Sequence, residues 1–316
     1  MRSHRVALAL AALLFACGPA AAETKLRVGK AQPNQFAFVP ADIGIDTGLF
    51  KKSGVDVEIS SFGGDAKMNQ ALTAGSIDIA LGGVPAFATI VKGAPMKAVA
   101  ALANAPNTIM LVVNKDGPIK TVADLKDKKV SVSTQGSLTY WLTLQLSRSQ
   151  GWGPDGIKIT PLGAAAAQIA ALKTKQVDGV TTDSVTVYNI VEEGSGRILV
   201  KFGDSVKDFH VHVIYASNKL IESNPEGLKA FLAGWFETIA FMGDHKDQAI
   251  EIASKRTGVS KAVATEGYND TMPIFSSTGH FEPKALDVLA TSFVDTKLLP
   301  DKPDMSKLLT EAYLPK

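Results

Sequence analysis

The segment ALTAGSIDIALGG, Ala71–Gly83, returns 100 residues later as ALKTKQVDGVTTD, Ala171–Asp183. Both copies hold an Ala-Leu pair, a four-residue spacer and an apolar residue followed by Asp. The likeness extends upstream, where GIKITPLGAAAAQIAALKTKQVDGV retraces GVDVEISSFGGDAKMNQALTAGSIDI with two residues fewer in the loop. Each copy reads as strand, Gly-rich turn, helix and strand. A helical crossover between short apolar strands demands a parallel sheet. A chain that builds this unit twice folds as two α/β lobes of similar build.

The flanking pattern agrees. LRVGKA, VDVEISSF, IDIALGG and MKAVAAL alternate as strands, separated by helical stretches at PADIGIDTGLFKKSG, GGDAKMNQALTAG and VPAFATIVKG. Asp65 is a candidate N-cap for the second of these, with Met68 and Leu72 on one face and Gly75 at its end. The pattern then restarts at TIMLVVN, where TVADLKDKK carries Thr121 and Asp124 at capping-box spacing. After VHVIYAS the chain is helical to its end. That tail is not a third copy, and its economical placement is back on the first lobe, with VHVIYAS joining that sheet. The expected lobes are 24–111 plus 209–316, and 112–208, linked by two hinge crossings with a cleft between them. Asp78 and Asp178 enter equivalent strands and are read as structural, seating the helix-to-strand turn.

Met1–Ala22, MRSHRVALALAALLFACGPAAA, has Arg2 and Arg5 before an apolar stretch and ends in small residues. This is an export signal, too short to span a membrane. LFAC at Leu14–Cys17 also resembles a lipoprotein box, so a lipid anchor on Cys17 is the minor alternative to cleavage after Ala22. Cleavage there leaves 31 basic and 31 acidic residues and removes Cys17, the sole cysteine of the chain. A neutral chain offers nothing to nucleic acid or to an anionic membrane. Without cysteine it has no disulfide, thiolate nucleophile or Cys metal site.

DIGIDTGLFKKSGVDVEISSFGGDAKMNQALTAGSIDIALGGVPAFATIVKGAPMKAVAAL resembles the first lobe of a periplasmic substrate-binding protein of an ABC importer, in the nitrate/sulfonate/taurine branch related to thiamine-pyrimidine-precursor binders. TVADLKDKKVSVSTQGS resembles that family's second-lobe segment. The resemblance covers about residues 26–183. It implies the two-lobed, hinge-closing Venus-flytrap fold, a monomer in the periplasm, and capture of a small solute, anionic, oxygen-rich or aromatic. Its partners would be the membrane permease and the permease's cytoplasmic ATPase.

In parallel sheets ligands sit beyond the carboxyl ends of strands. The loops there nominate Gln35, Phe36, Gly64, Asp65, Gly83 and Val84 in the first lobe and Gln135, Ser137, Trp141 and Asp183 in the second. Several lie at helix N-termini, where free N–H groups suit oxyanions. The family match favours Gln35, Gly64, Ser137 and Asp183. Tyr140 and Trp141 begin one helix and point in different directions, so one of them faces the cleft. His210 and His212 share a strand, but no third ligand is placed beside them; a polar hinge or cleft wall is expected there, with no metal and no cofactor.

Two other classes are weighed. Enzymes related to the pyrimidine-precursor binders share a Cys-rich segment that the exported chain lacks, and no Ser-His-Asp order or Walker loop stands in for it. A sensor's ligand-binding component is disfavoured because no kinase region follows. The expected protein is not an enzyme.

Overall fold

The computed structural model describes residues 24–206 and 208–316; the expected export signal and Cys17 lie outside the described residues. The first half of the chain runs β1 (Thr24–Lys30), α1 (Val39–Asp46), α2 (Leu49–Lys52), β2 (Val55–Ser61), α3 (Asp65–Thr73), β3 (Ile79–Gly83), α4 (Ala86–Val91), β4 (Met96–Asn104), β5 (Ile109–Asn114), β6 (Lys129–Val132) and α5 (Leu138–Ser149). It continues through β7 (Lys158–Pro161), α6 (Ala165–Lys173), β8 (Gly179–Asp183), α7 (Ser184–Glu192), β9 (Gly196–Lys201) and β10 (His210–Ser217). The tail holds α8 (Asn218–Ser223), α9 (Pro225–Asp244), α10 (Lys246–Thr257), α11 (Lys261–Thr271) and α12 (Pro283–Asp295).

The strands form two five-stranded mixed sheets, ordered β2-β1-β3-β10-β4 and β7-β6-β8-β5-β9. Each has a parallel trio and one antiparallel strand, β10 or β5, supplied from the other side of a crossing. β5 pairs along its length with β8 and β9, so the first crossing precedes it, at 105–108, and not at the expected division after Leu111. Both crossings carry a left-handed residue that is not glycine, Ala105 at φ 63° and Asp208 at φ 47°. The crossings are tied side by side where the Ala105 N–H donates to the Phe209 carbonyl.

The duplication is literal in three dimensions. α3 and α6 start and stop 100 residues apart, as do β3 and β8. Gly75 and Lys175 both end their helices in the left-handed region. The Asp78 carboxylate accepts from the Arg27 backbone N–H and guanidinium, and Asp178 accepts from the Lys129 N–H in the same way. Each acid therefore pins the strand beside it. Burial opposes ionisation of Asp78, but the Arg27 bonds prevail and hold it below the usual carboxylate range. Thr121 and Asp124 form the expected capping box.

Helix α9 lays Leu228, Phe231, Leu232, Trp235, Ile239 and Met242 inward at helical spacing, with Phe231 stacked on Phe50 at 5.2 Å. It covers α1 and α2 on the first lobe. The edge of β4 is closed by bridges to Phe275 and Leu309, which removes an open pairing edge. Not all of the tail covers that lobe. Helix α11 packs on α7 of the second lobe, where the Tyr188 hydroxyl donates to Asp270 and the Ser260 hydroxyl to Glu192.

Candidate functional site: the seam between the lobes

The carboxyl ends of the parallel strands face one another across a seam. Along one rim the lobes touch backbone to backbone. A Cβ on Gly63 would lie 3.5 Å from Ala164, one on Gly64 would lie 2.5 Å from the Thr134 methyl, and one on Gly83 would lie 2.6 Å from Leu138 Cβ. At Gly64, φ of 142° also excludes other residues.

Asp65 is the first residue of α3; Gly64 holds the N-cap position expected of Asp65, because the carboxylate turns away from its own helix. Its Oδ1 accepts from the Gly83 N–H at 2.8 Å and its Oδ2 from the Leu138 N–H of the other lobe at 3.1 Å. Burial pushes this carboxyl above its ordinary range, against the pull of both N–H groups. Burial, with the Asp65 charge, also raises Tyr215, whose hydroxyl donates to the Gly83 carbonyl.

The start of α5 is thereby filled from within. Leu138 N–H serves Asp65, Tyr140 N–H serves the Ser137 hydroxyl at 3.2 Å, and Trp141 N–H serves the Ser137 carbonyl. Ser137 is fully buried and bonds Thr139 as well. We expect Ser137→Ala to lower stability by about 1 kcal/mol, the usual worth of an N-cap, with solute affinity retained within about twofold. A melting curve beside a calorimetric titration checks this; a large affinity loss at unchanged stability would place the hydroxyl on the solute.

The other nominated residues separate. Gln135 is exposed and lines a rim groove of about 410 Å³ with Asn69, Gln70 and Thr89. Asp183 caps α7, accepting from the Thr186 N–H and hydroxyl, with burial raising its pKa. Phe36 is core, edge-on to Tyr268 and under Gly267. Trp141 stacks on Phe209 at 4.7 Å and faces a 570 Å³ groove toward α12, so it is turned to the hinge and not to the seam. Val84 is fully buried.

Deeper in the seam, Gln35 donates its amide to His212 Nε2 at 2.7 Å. That bond places the ring proton on Nδ1, which has no partner among the described residues. Burial drives the His212 pKa down to about 3, so the ring is a neutral donor. His210 differs: its Nδ1 bonds Asn104 and its Nε2 accepts from the Glu282 N–H, which uses both nitrogens. Gln32 Oε1, Thr108 Oγ1 and Ser184 Oγ are among the other buried side-chain atoms that make no hydrogen bond among the described residues. Those of Thr108 and Ser184 are joined to His212 by a chain of neighbouring contacts. Gln35 bonds His212, Phe36 and Val185 both meet Gly267, and Ser184 N–H donates to the Thr108 carbonyl. Lys30, at the end of β1, is spent on Asp42 in a buried ion pair of 2.7 Å. No group of three His, Cys, Asp or Glu among the described residues could hold a metal ion, and no described helix is long and apolar enough to cross a membrane.

Gln32 and Thr108 carried no sequence signal, since a lone polar residue in a loop is ordinary. His212 stood out in sequence, as part of a polar hinge or cleft wall. Its free nitrogen depends on Gln35, which lies 177 residues away.

A model of the NMT1/THI5-like family matches residues 35–249. The chain belongs to that family. It is 28% identical over 308 residues to an Escherichia coli protein named "Putative aliphatic sulfonates-binding protein", covering 95% of this chain and 94% of that one. Among solved structures, the alkanesulfonate-binding protein SsuA from Xanthomonas axonopodis pv. citri, bound to MOPS, superposes with a TM-score of 0.80 at 19% identity, over 91% of this chain and 98% of that one. The periplasmic nitrate-binding protein NrtA from Synechocystis PCC 6803 gives 0.72 at 18% identity, over 92% and 87%. The two-lobed fold is theirs.

Proposed function

We propose that this family member is an extracytoplasmic solute-binding protein that captures a small oxyanion-bearing solute, a sulfonate foremost, in the seam and delivers it unmodified to an ABC importer. The supporting observation is that buried hydrogen-bonding atoms on His212, Ser184, Thr108 and Gln32, which are some of several such atoms, have no partner among the described residues. Buried polar atoms require partners, and these come from both sides of the seam. Three of the four atoms can donate, none is cationic, and Ser184 opens α7, whose dipole favours negative charge. Neutral donors of this kind hold an oxyanion without burying a counter-charge. The names of the relatives, sulfonate binders and a nitrate binder, support the same class. The protein would work as a monomer in the periplasm, its partners the permease and the permease's ATPase, with no catalysis and no cofactor.

A thermal-shift panel of ethanesulfonate, taurine, an aromatic sulfonate, nitrate, sulfate and a hydroxymethylpyrimidine tests this. A solute at a thousandfold excess over its Kd should stabilise the fold by about 4 kcal/mol. Stabilisation by the pyrimidine alone, or turnover of any bound solute, would reject the proposal.

A further inference from the structure

On the rim where the lobes meet, each lobe caps a helix of the other. The α5 N-terminus receives Asp65 Oδ2 at Leu138 N–H, and the α3 N-terminus receives the Thr134 hydroxyl at Ala66 N–H, 3.4 Å away. The first N–H groups of a helix have no partner within it. Here two of them find one only while the lobes are together. We propose that Asp65 and Thr134 are positioning residues forming a reciprocal latch, which holds the lobes closed over the solute and sets how long it stays. The link to solute residence rests on the solute-capture reading; the latch itself does not.

Three features show that the arrangement is built. The duplicated units differ at this point, with Asp65 in the first and Ala165 in the second, so the repeat alone does not explain the acid. Two N–H donors converge on Asp65, and only a carboxylate offers both an acceptor. Glycines at 63, 64 and 83 let the lobes approach until these bonds form. The second rim is bonded too, by Tyr188 with Asp270 and Ser260 with Glu192, but those residues are half-buried or exposed and cap nothing across the seam.

Amide hydrogen exchange on the full chain without solute is the test. In the wild type the Leu138 and Ala66 amides should exchange at least tenfold more slowly than that of Thr139. Thr134→Val, close to isosteric, should release the Ala66 amide and also speed Leu138 exchange at least fivefold, although Thr134 makes no bond to Leu138. Thr134→Ser should restore both. Asp65→Ala should release both amides; should that variant fail to fold, Thr134→Val decides alone. Leu138 exchange unchanged in Thr134→Val overturns the latch. With ethanesulfonate as probe, dissociation from Thr134→Val should be at least tenfold faster, and an unaltered rate overturns control of residence. Should the wild type not bind ethanesulfonate, the proposed function fails there, while the exchange result still decides the latch.

Discussion

Acidification from pH 6.5 toward 4 should strip the fold of stability well before ordinary carboxylates titrate. His210 and His212 are buried and neutral, their pKa values pushed down by desolvation to about 4 and about 3, with Glu311 raising His210 slightly. In the unfolded chain both take up protons below about 6.5. The unfolded state thus binds more protons throughout this window, and stability must fall as pH falls. Each imidazole contributes about 1.4 kcal/mol per pH unit, so two units cost on the order of 5 kcal/mol, comparable with the whole stability of a typical domain. Asp65 and Asp183 act in the opposite sense, because burial raises their pKa values and folding is favoured as they protonate. The comparison must therefore be of slopes. Urea midpoints at pH 7, 6, 5 and 4 should show a shallower loss for His212→Gln than for the wild type. Parallel slopes would mean that the His212 ring carries a proton inside the fold.

Gly83→Ala should cost more than tenfold in solute affinity, about 1.4 kcal/mol or more, while leaving each lobe intact. Gly83 ends β3 and pairs with His212, and its extended backbone accepts alanine within its own sheet. The obstacle is across the seam, where the new Cβ would stand 2.6 Å from Leu138 Cβ. Neither atom is the end of a flexible chain, so relief must come from the lobes moving apart. That motion also stretches the Asp65 bond to Leu138. Without solute the melting temperature should shift by only a few degrees, while titration calorimetry with the tightest panel solute records the loss. Wild-type affinity in Gly83→Ala would show that the lobes need not meet here to bind.

Much of the architecture was legible because it is encoded locally. Hydrophobic periodicity marked β1 to β4 and the helices between them. Thr121 and Asp124 announced their capping box because a cap is a three-residue interaction. The repeat exposed Asp78 and Asp178 as one structural device, since an acid held in both copies serves what the copies share. Nominating strand-end loops led to Gly64, Asp65 and Gly83, which touch the other lobe, and to Gln35, which holds His212.

What those residues do there was decided by the tertiary structure alone. Asp65 has the composition of an N-cap and sits beside a helix start, yet it caps a helix 73 residues onward. Trp141 could have faced either way; stacking on Phe209, which reaches it only through the second crossing, turned it to the hinge. Gln32, Thr108 and Ser184 are unremarkable in sequence, because a polar residue has meaning only once burial has removed water and the fold has withheld a partner. By itself the sequence determined the lobes, their strands and helices, and the edges that face each other, since spacing along a chain controls contacts within a turn or between adjacent strands. Pairings across the seam depend on how two separately encoded lobes come to rest against each other, and no local pattern records that distance.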